Sequence, residues 1–225
     1  MKELHIVISL GGSLIKLNKL DYINSLSSLL KELSEKFKLY IVVGGGGLAR
    51  EYIDSCRKLG GNEYLLDKVG ILATRMNANI LIASLGDYAT QNVFESIEDA
   101  IYSLEKKIFV MGGTIPGHTT DAVAVMLGEK VNADKIIIMT NVDGVYDKDP
   151  NKNKDAKLLK KISGAQLMEI VSSTSSTAGS KTVVDPLAAR LISRAKIPLF
   201  VLNGSELENL KKAIEGKEFK GTVVG

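Results

Sequence analysis

The feature that most limits the fold is a repeated unit. A short run of aliphatic, largely β-branched residues ends in glycine and gives way to a longer stretch with helical spacing. The run at 6–10 leads into Gly11 and Gly12, the run at 40–43 into Gly44, Gly45, Gly46 and Gly47, and the run at 108–111 into Gly112 and Gly113. Two more such runs lie at 136–139 and 199–202. Between them, Leu26, Leu29, Leu30 and Leu33 predict a helix over 21–37, and a second helical pattern fills 63–85. Further helices are expected after the second glycine run through Arg50 and Cys56, from about Asp121, over 187–195, and after Ser205. At that last start, Glu208 three residues on reads as a capping box. Continuous apolar strands alternating with helices require a parallel sheet covered on both faces, joined by right-handed crossovers. The predicted class is α/β, a three-layer α/β/α sandwich around a mainly parallel sheet. One domain over 1–225 is expected, with an N-terminal lobe of about 1–130 and a C-terminal lobe of about 131–225. The polar loop at 143–155, which contains Pro150, lies near the division. The Ser/Thr/Gly-rich stretch 172–181 is expected to be a mobile loop.

Composition removes several function classes. Hydrophobic residues are 45% and charged residues 24% of the 225, so a globular core is expected rather than disorder or coiled coil. Cys56 is the only cysteine and His5 and His118 the only histidines, which excludes an internal disulfide and a Cys/His zinc set and suits a reducing cytoplasm. A formal charge of +3, 5% aromatics and no tryptophan give no footing for nucleic acid. Lys148, Lys152, Lys154, Lys157, Lys160 and Lys161 form a basic run, read as a solvated loop. No uninterrupted apolar run approaches the ~20 residues of a membrane span, so no membrane partner is expected. The start reads as a strand and not as a signal peptide.

In an open parallel sheet, ligands sit beyond the carboxyl ends of the strands. Glycine there lets backbone N–H groups approach an anion, and a helix starting just after adds free N–H groups and a positive dipole end. One glycine loop can be a mere tight turn, but three at successive strand ends point to a site for several phosphates. A Walker A loop is absent, since Ser180 stands where Ser180-Lys181-Thr182 would need glycine. Gly44, Gly46 and Ala49 formally satisfy a dinucleotide fingerprint, but the acid about twenty residues on, Asp67, lies in a helical stretch.

Gly11-Gly12-Ser13 and Gly44-Gly45-Gly46 followed by Leu48-Ala49-Arg50 resemble the amino-acid-kinase superfamily. The segment from Pro116, Gly117, His118, Thr119, Thr120 and Asp121 to Ala124 narrows it. With Thr140 through Tyr146, Asp149-Pro150 and Asp185-Pro186-Leu187, the chain resembles UMP kinases of the archaeal type along essentially its whole length. The resemblance implies phosphoryl transfer from ATP to UMP with Mg²⁺, and an assembly that is usually a homohexamer; the alternatives are another kinase of the superfamily, acting on a carboxylate, carbamate or isopentenyl phosphate, and a non-catalytic nucleotide sensor. It also implies site residues. Gly12, Ser13, Gly46 and Arg50 would contact ATP phosphates, and Thr140, Tyr146 and Asp149 would hold the adenosine side. Gly45 would approach UMP, Asp67 would hold its ribose, and the segment from Ile115 to Asp121 would wrap its ribose and phosphate. Asp121, Arg50 and Asp185 are catalytic candidates. The metal ligands are not identified.

Each of these has a plainer reading. Asp121 suits a helix N-cap, Arg50 a surface charge, His118 a backbone support, Asp185 a helix start and Tyr146 simple packing under its loop. Many superfamily members carry a lysine two residues before the first glycine, where this chain has Ser9. A lysine common in archaeal relatives after the second glycine run is replaced by Gly47. Lys16 or Lys181 is expected to supply the missing charge, with Arg50 or Mg²⁺ alone as the alternatives.

Overall fold

The chain is described here in a computed structural model that covers residues 3–18, 20–99, 108–150, 152–175 and 183–225. Its centre is a seven-stranded sheet in the order β3-β2-β1-β4-β6-β7-β5. The strands are β1 (Leu4–Leu10), β2 (Phe37–Val43), β3 (Ile108–Met111), β4 (Lys135–Thr140), β5 (Lys161–Ile162), β6 (Leu199–Asn203) and β7 (Thr222–Val224). All neighbours run parallel except β6 and β7, which pair antiparallel. The helices are α1 (Leu20–Ser34), α2 (Gly46–Lys58), α3 (Glu63–Leu85), α4 (Thr120–Lys130), α5 (Gly164–Ser175), α6 (Pro186–Arg194) and α7 (Leu207–Ile214).

Strand periodicity sorts the core into two sides. Val7, Tyr40, Val42, Ile136 and Ile138 pack on one face with residues of α4, α5 and α6, including Val123, Leu167 and Leu191. Ile6, Ile8, Leu39, Ile41 and Ile137 pack on the other with α1, α3 and α7, including Leu26, Leu81 and Leu210. The predicted three-layer sandwich is therefore the observed architecture.

Several local expectations are corrected. The helix predicted over 21–37 ends at Ser34, because Phe37 opens β2 and pairs with Leu4. The capping box at Ser205 does not form. Ser205 turns its backbone N–H and its hydroxyl onto Asn203 Oδ1, and Glu206 stands at the N-cap of α7 with no side-chain cap. The stretch 172–181 is not all loop, since α5 runs to Ser175, and residues 176–182 lie outside the described ones. A membrane-length apolar stretch does exist: α3 and the turn after it, residues 63–88, are long and apolar enough to cross a bilayer by composition. Yet Leu66, Ala73, Ala78, Leu81 and Leu85 of α3 are buried in the protein, and Thr74 and Asn77 are buried with them, as in a core helix.

Candidate functional site

β1, β2 and β3 are parallel neighbours, so the glycine runs that follow them emerge at one edge of the sheet. The chain leaves β1 for β2 on one side, while β4 lies on the other. This is the topological switch point at which open α/β sheets bind ligands. The first two loops meet backbone to backbone there. A methyl built on Gly12 would overlap the Gly44 carbonyl and the Gly46 nitrogen, and Gly46 itself has φ +61. Only glycine permits both the approach and that dihedral. Gly44 N–H donates to the Leu10 carbonyl at 2.9 Å and Gly11 N–H to the Met139 carbonyl at 3.0 Å, which fixes the loops to β1 and β4. Gly46 begins α2, with Gly45 at its N-cap and no side-chain cap, so the first N–H groups of that helix stay free of a capping side chain. Ser13 stands in the first loop. Arg50 is exposed on α2 one turn after Gly46, and Lys16 is exposed beyond the first loop.

The third loop meets the second across α3 and α4. Gly117, at φ +85, donates its N–H to Asp67 Oδ2 at 2.8 Å, so the carboxylate expected at the ribose also pins this loop. His118 N–H reaches the Ile115 carbonyl at 3.3 Å, and the Ile115 side chain is exposed. Thr119, not Asp121, is the N-cap of α4; its hydroxyl accepts from Ala122 N–H. The same hydroxyl donates to Asp185 Oδ2 at 2.6 Å. Asp185 in turn caps α6, accepting from Leu187 and Ala188 N–H at 3.1 and 2.8 Å. Thr120 opens α4 beside Gly44.

Asp121 sits in the first turn of α4 and accepts from Ser9 Oγ at 2.6 Å. Ser9, the residue two before the first glycine, thus meets the aspartate at the helix start. Burial pushes the Asp121 carboxyl up from 3.8 to about 6. The Ser9 hydrogen bond opposes the rise, the Asp185 charge adds to it, and the Asp185 backbone opposes it. A carboxylate poised near neutrality at a glycine-walled edge is a functional-site signature.

Beyond β4, a cavity of about 190 Å³ opens, lined by Thr140, Tyr146, Asp149 and Pro150 on one side and by Leu167, Ile170, Val171 and Val184 on the other. The loop that forms its mouth is braced from behind. Asp143 accepts from Lys220 at 2.7 Å and from Asn203 at 3.2 Å, and the Lys220 hydrogen bond holds its carboxyl below the usual range. Val145 N–H donates to Thr222 Oγ1 at 2.8 Å. Burial and the Asp143 charge raise the Tyr146 phenol. An apolar slot with polar groups at its mouth suits a nucleoside base. A second hollow holds Lys16 with Ser13, Asn141 and Asn203, which places Lys16 beside the first loop.

The structure therefore gathers Gly12, Gly44, Gly45, Gly46, Ser9 and Asp121 at the switch point. Asp67 and the 115–121 loop lie on one side, and Thr140, Tyr146 and Asp149 on the other. Lys181 lies outside the described residues. Sequence reading missed α5 and its wall of Leu167, Ile170 and Val171, although Ser163 and Gln166 form a capping box at its start (Ser163 N–H to Gln166 Oε1, 2.8 Å). It also missed Thr74, Arg75 and Asn77 of α3, which hold the glycine loops.

The amino acid kinase family model matches residues 5–203. The chain belongs to the amino acid kinase family. Within that family, the uridylate kinase of Methanocaldococcus jannaschii is 48% identical, over 98% of this chain and 99% of its own length. That of Methanobrevibacter smithii is 44% identical over 97% and 98%. The solved structure of uridylate kinase from Archaeoglobus fulgidus matches with a TM-score of 0.89 at 42% identity, covering 98% of this chain and 99% of that one. UMP kinase from Ureaplasma parvum matches at 0.81 and 25% over the full length of both.

Proposed function

We propose that this family member is a UMP kinase, transferring the γ-phosphoryl group of ATP to UMP to give UDP and ADP in pyrimidine nucleotide synthesis. The observation that carries the reading is the full-length match to uridylate kinases together with the two binding regions that meet at Gly12, Gly44 and Gly46. The acceptor lies on the N-terminal side, over about 1–130. Gly45 and the 115–121 loop hold its phosphate and Asp67 its ribose. The donor lies mainly over about 131–225, with adenine in the slot of Thr140, Tyr146 and Asp149, while its phosphates cross to Gly12, Ser13, Gly46 and Arg50 of the N-terminal side.

In the reaction, an oxygen of the UMP phosphate attacks the γ-phosphorus as the bond to ADP breaks. The chain's part is to hold the two phosphates in line and to balance their charge. Backbone N–H groups at the starts of α2 and α4 and the Arg50 fork face that charge. Lys16 or Lys181 adds the cation that Ser9 lacks. Asp121 acts from the first turn of α4, and Asp185 acts from the N-cap of α6 through Thr119. Among the described residues no set of three or more His, Cys, Asp or Glu side chains could cage a metal. A magnesium ion carried by the ATP phosphates themselves fits that composition, and bound there it supplies further charge neutralisation. Exposed Leu65, Leu72 and Met76 on α3 support self-association, which we assign to a homohexamer, and a cytoplasmic location suits the single thiol.

Ser9 in place of lysine favours one rival, a nucleotide sensor without turnover. Single-turnover mixing of the protein with radiolabelled Mg·ATP and UMP separates the two. Label appearing in UDP at the rate ADP forms supports the kinase. Binding of both nucleotides without transfer would make the chain a sensor.

A further inference from the structure

The long helix α3 turns a polar cluster toward the sheet. Thr74 and Asn77 are 7% and 3% exposed, so each must find partners inside the protein. Asn77 Nδ2 donates to the carbonyls of Gly44 at 2.8 Å and Gly45 at 3.1 Å. Two carbonyl oxygens facing one amide leave only its nitrogen as their partner, which fixes the orientation of the side chain. Thr74 Oγ1 donates to the Ile71 carbonyl at 2.6 Å and accepts from Gly113 N–H at 2.6 Å. Its methyl group faces the other way: a carbon built on Gly45 would lie 3.5 Å from Thr74 Cγ2. One threonine therefore stands between the second and third glycine loops. Next to it, Arg75 donates to the carbonyls of Gly113 and Thr114, each at 3.3 Å, and is itself held by Glu95 at 2.8 Å.

We infer that Thr74 and Asn77 are positioning residues for the acceptor nucleotide, setting the spacing between the Gly44–Gly45 and Gly112–Gly113 loops from behind. The inference rests on the assignment of these loops to UMP made above. Neither side chain lines the slot beyond β4, and Thr74 bonds the third loop, which carries no ATP contact, so loosening Thr74 acts on UMP more than on ATP; Asn77 holds the second loop, whose Gly46 also faces the ATP phosphates. Thr74 is the sharper case. Its hydroxyl satisfies a buried N–H of the third loop, and an apolar replacement leaves that group without a partner.

The test compares the wild type with Thr74→Val, Thr74→Ser and Asn77→Ala. Three quantities are read: KM for UMP, affinity for a non-hydrolysable Mg·ATP analogue by calorimetry, and melting temperature. Thr74→Val should raise the UMP KM about tenfold or more, the scale of one buried unsatisfied donor, with analogue affinity within about twofold. Thr74→Ser keeps the hydroxyl and should return the UMP KM to within about threefold of wild type. Asn77→Ala should move the UMP KM in the same direction, and with Thr74→Ser it decides the matter if the valine variant does not fold. The proposal is overturned if folded Thr74→Val or Asn77→Ala keeps the wild-type UMP KM, if Thr74→Val weakens both nucleotides equally, or if serine is as poor as valine. A wild type that bound the ATP analogue but not UMP would instead overturn the acceptor assignment beneath it.

Discussion

Replacing Asp121 by asparagine separates what this residue does for the fold from what it does for the reaction. Its carboxyl is pushed from 3.8 up to about 6, mainly by burial. A carboxylate with a raised native pKa favours the native state most at low pH, and that advantage is lost as pH rises through the native value. Below pH 3.8 the acid is neutral both folded and unfolded, and above about pH 6 the folded protein carries a charge that its site resists. Two pK units at about 1.4 kcal/mol each set an upper bound near 3 kcal/mol. The residue is partly open to solvent, so about 1–2 kcal/mol is the expected size. Asparagine keeps an oxygen for the 2.6 Å bond from Ser9 and carries no charge. The variant should therefore melt about 2–8 °C above wild type at pH 8 for a domain of this size. That gap should shrink through pH 6 and close near pH 4. Scanning calorimetry from pH 4 to 8 reads the gap directly. In the same variant, UMP phosphorylation should fall about tenfold to a hundredfold, because an amide offers one acceptor oxygen at the start of α4 where the carboxylate offers two. A gap independent of pH, or a wild type that is the more stable protein at pH 8, would refute the burial argument. A variant that gained stability and kept full activity would refute the functional one.

Other substitutions probe the loops and the missing cation. Gly12→Ala should lose at least about a hundredfold in kcat/KM for UMP, since its methyl would overlap the Gly44 carbonyl and the Gly46 nitrogen. Nothing lies within 4 Å of a carbon built on Gly47, so Gly47→Ala should stabilise α2 by about 0.5–1 kcal/mol in chemical denaturation and leave kcat unchanged. Arg50→Lys should lower kcat/KM about tenfold with an unchanged circular dichroism spectrum, because an ammonium cannot reproduce the guanidinium fork. Full activity would return Arg50 to the role of a surface charge. Lys16→Met and Lys181→Met, singly and together at saturating substrates, should reveal the compensating lysine as a drop in kcat of about a hundredfold. Wild-type kcat in all three would leave that charge to Arg50, Mg²⁺ and the backbone.

The parts of this fold that were legible in the sequence are those with a local signal. β1, β2, β3, β4 and β6 are built on short apolar runs, and the apolar spacing over 63–85 matches the span of α3 because it is sustained along the whole helix. The strands β5 and β7 are two and three residues long, too short for any periodicity, and exist because β7 pairs with both β5 and β6. The glycine loops were visible as composition, and their convergence follows from the parallel order of three strands. What holds them was not visible. Thr74 and Asn77 look like ordinary polar residues in an amphipathic pattern until the fold brings Gly44 and Gly113 to them, 33 and 39 residues away in the chain. Asp121 was located but its neighbour was not: nothing in the sequence joins Ser9 to a residue 112 positions on.

The most direct test of the central claim is acceptor selectivity, measured by coupled ADP release with Mg·ATP against UMP, CMP, AMP, GMP and small carboxylic acids. The account predicts that UMP turns over at least about tenfold faster in kcat/KM than any other acceptor, a preference of about 1.4 kcal/mol or more. Equal rates across the panel, or a preference for a carboxylic acid, would contradict it.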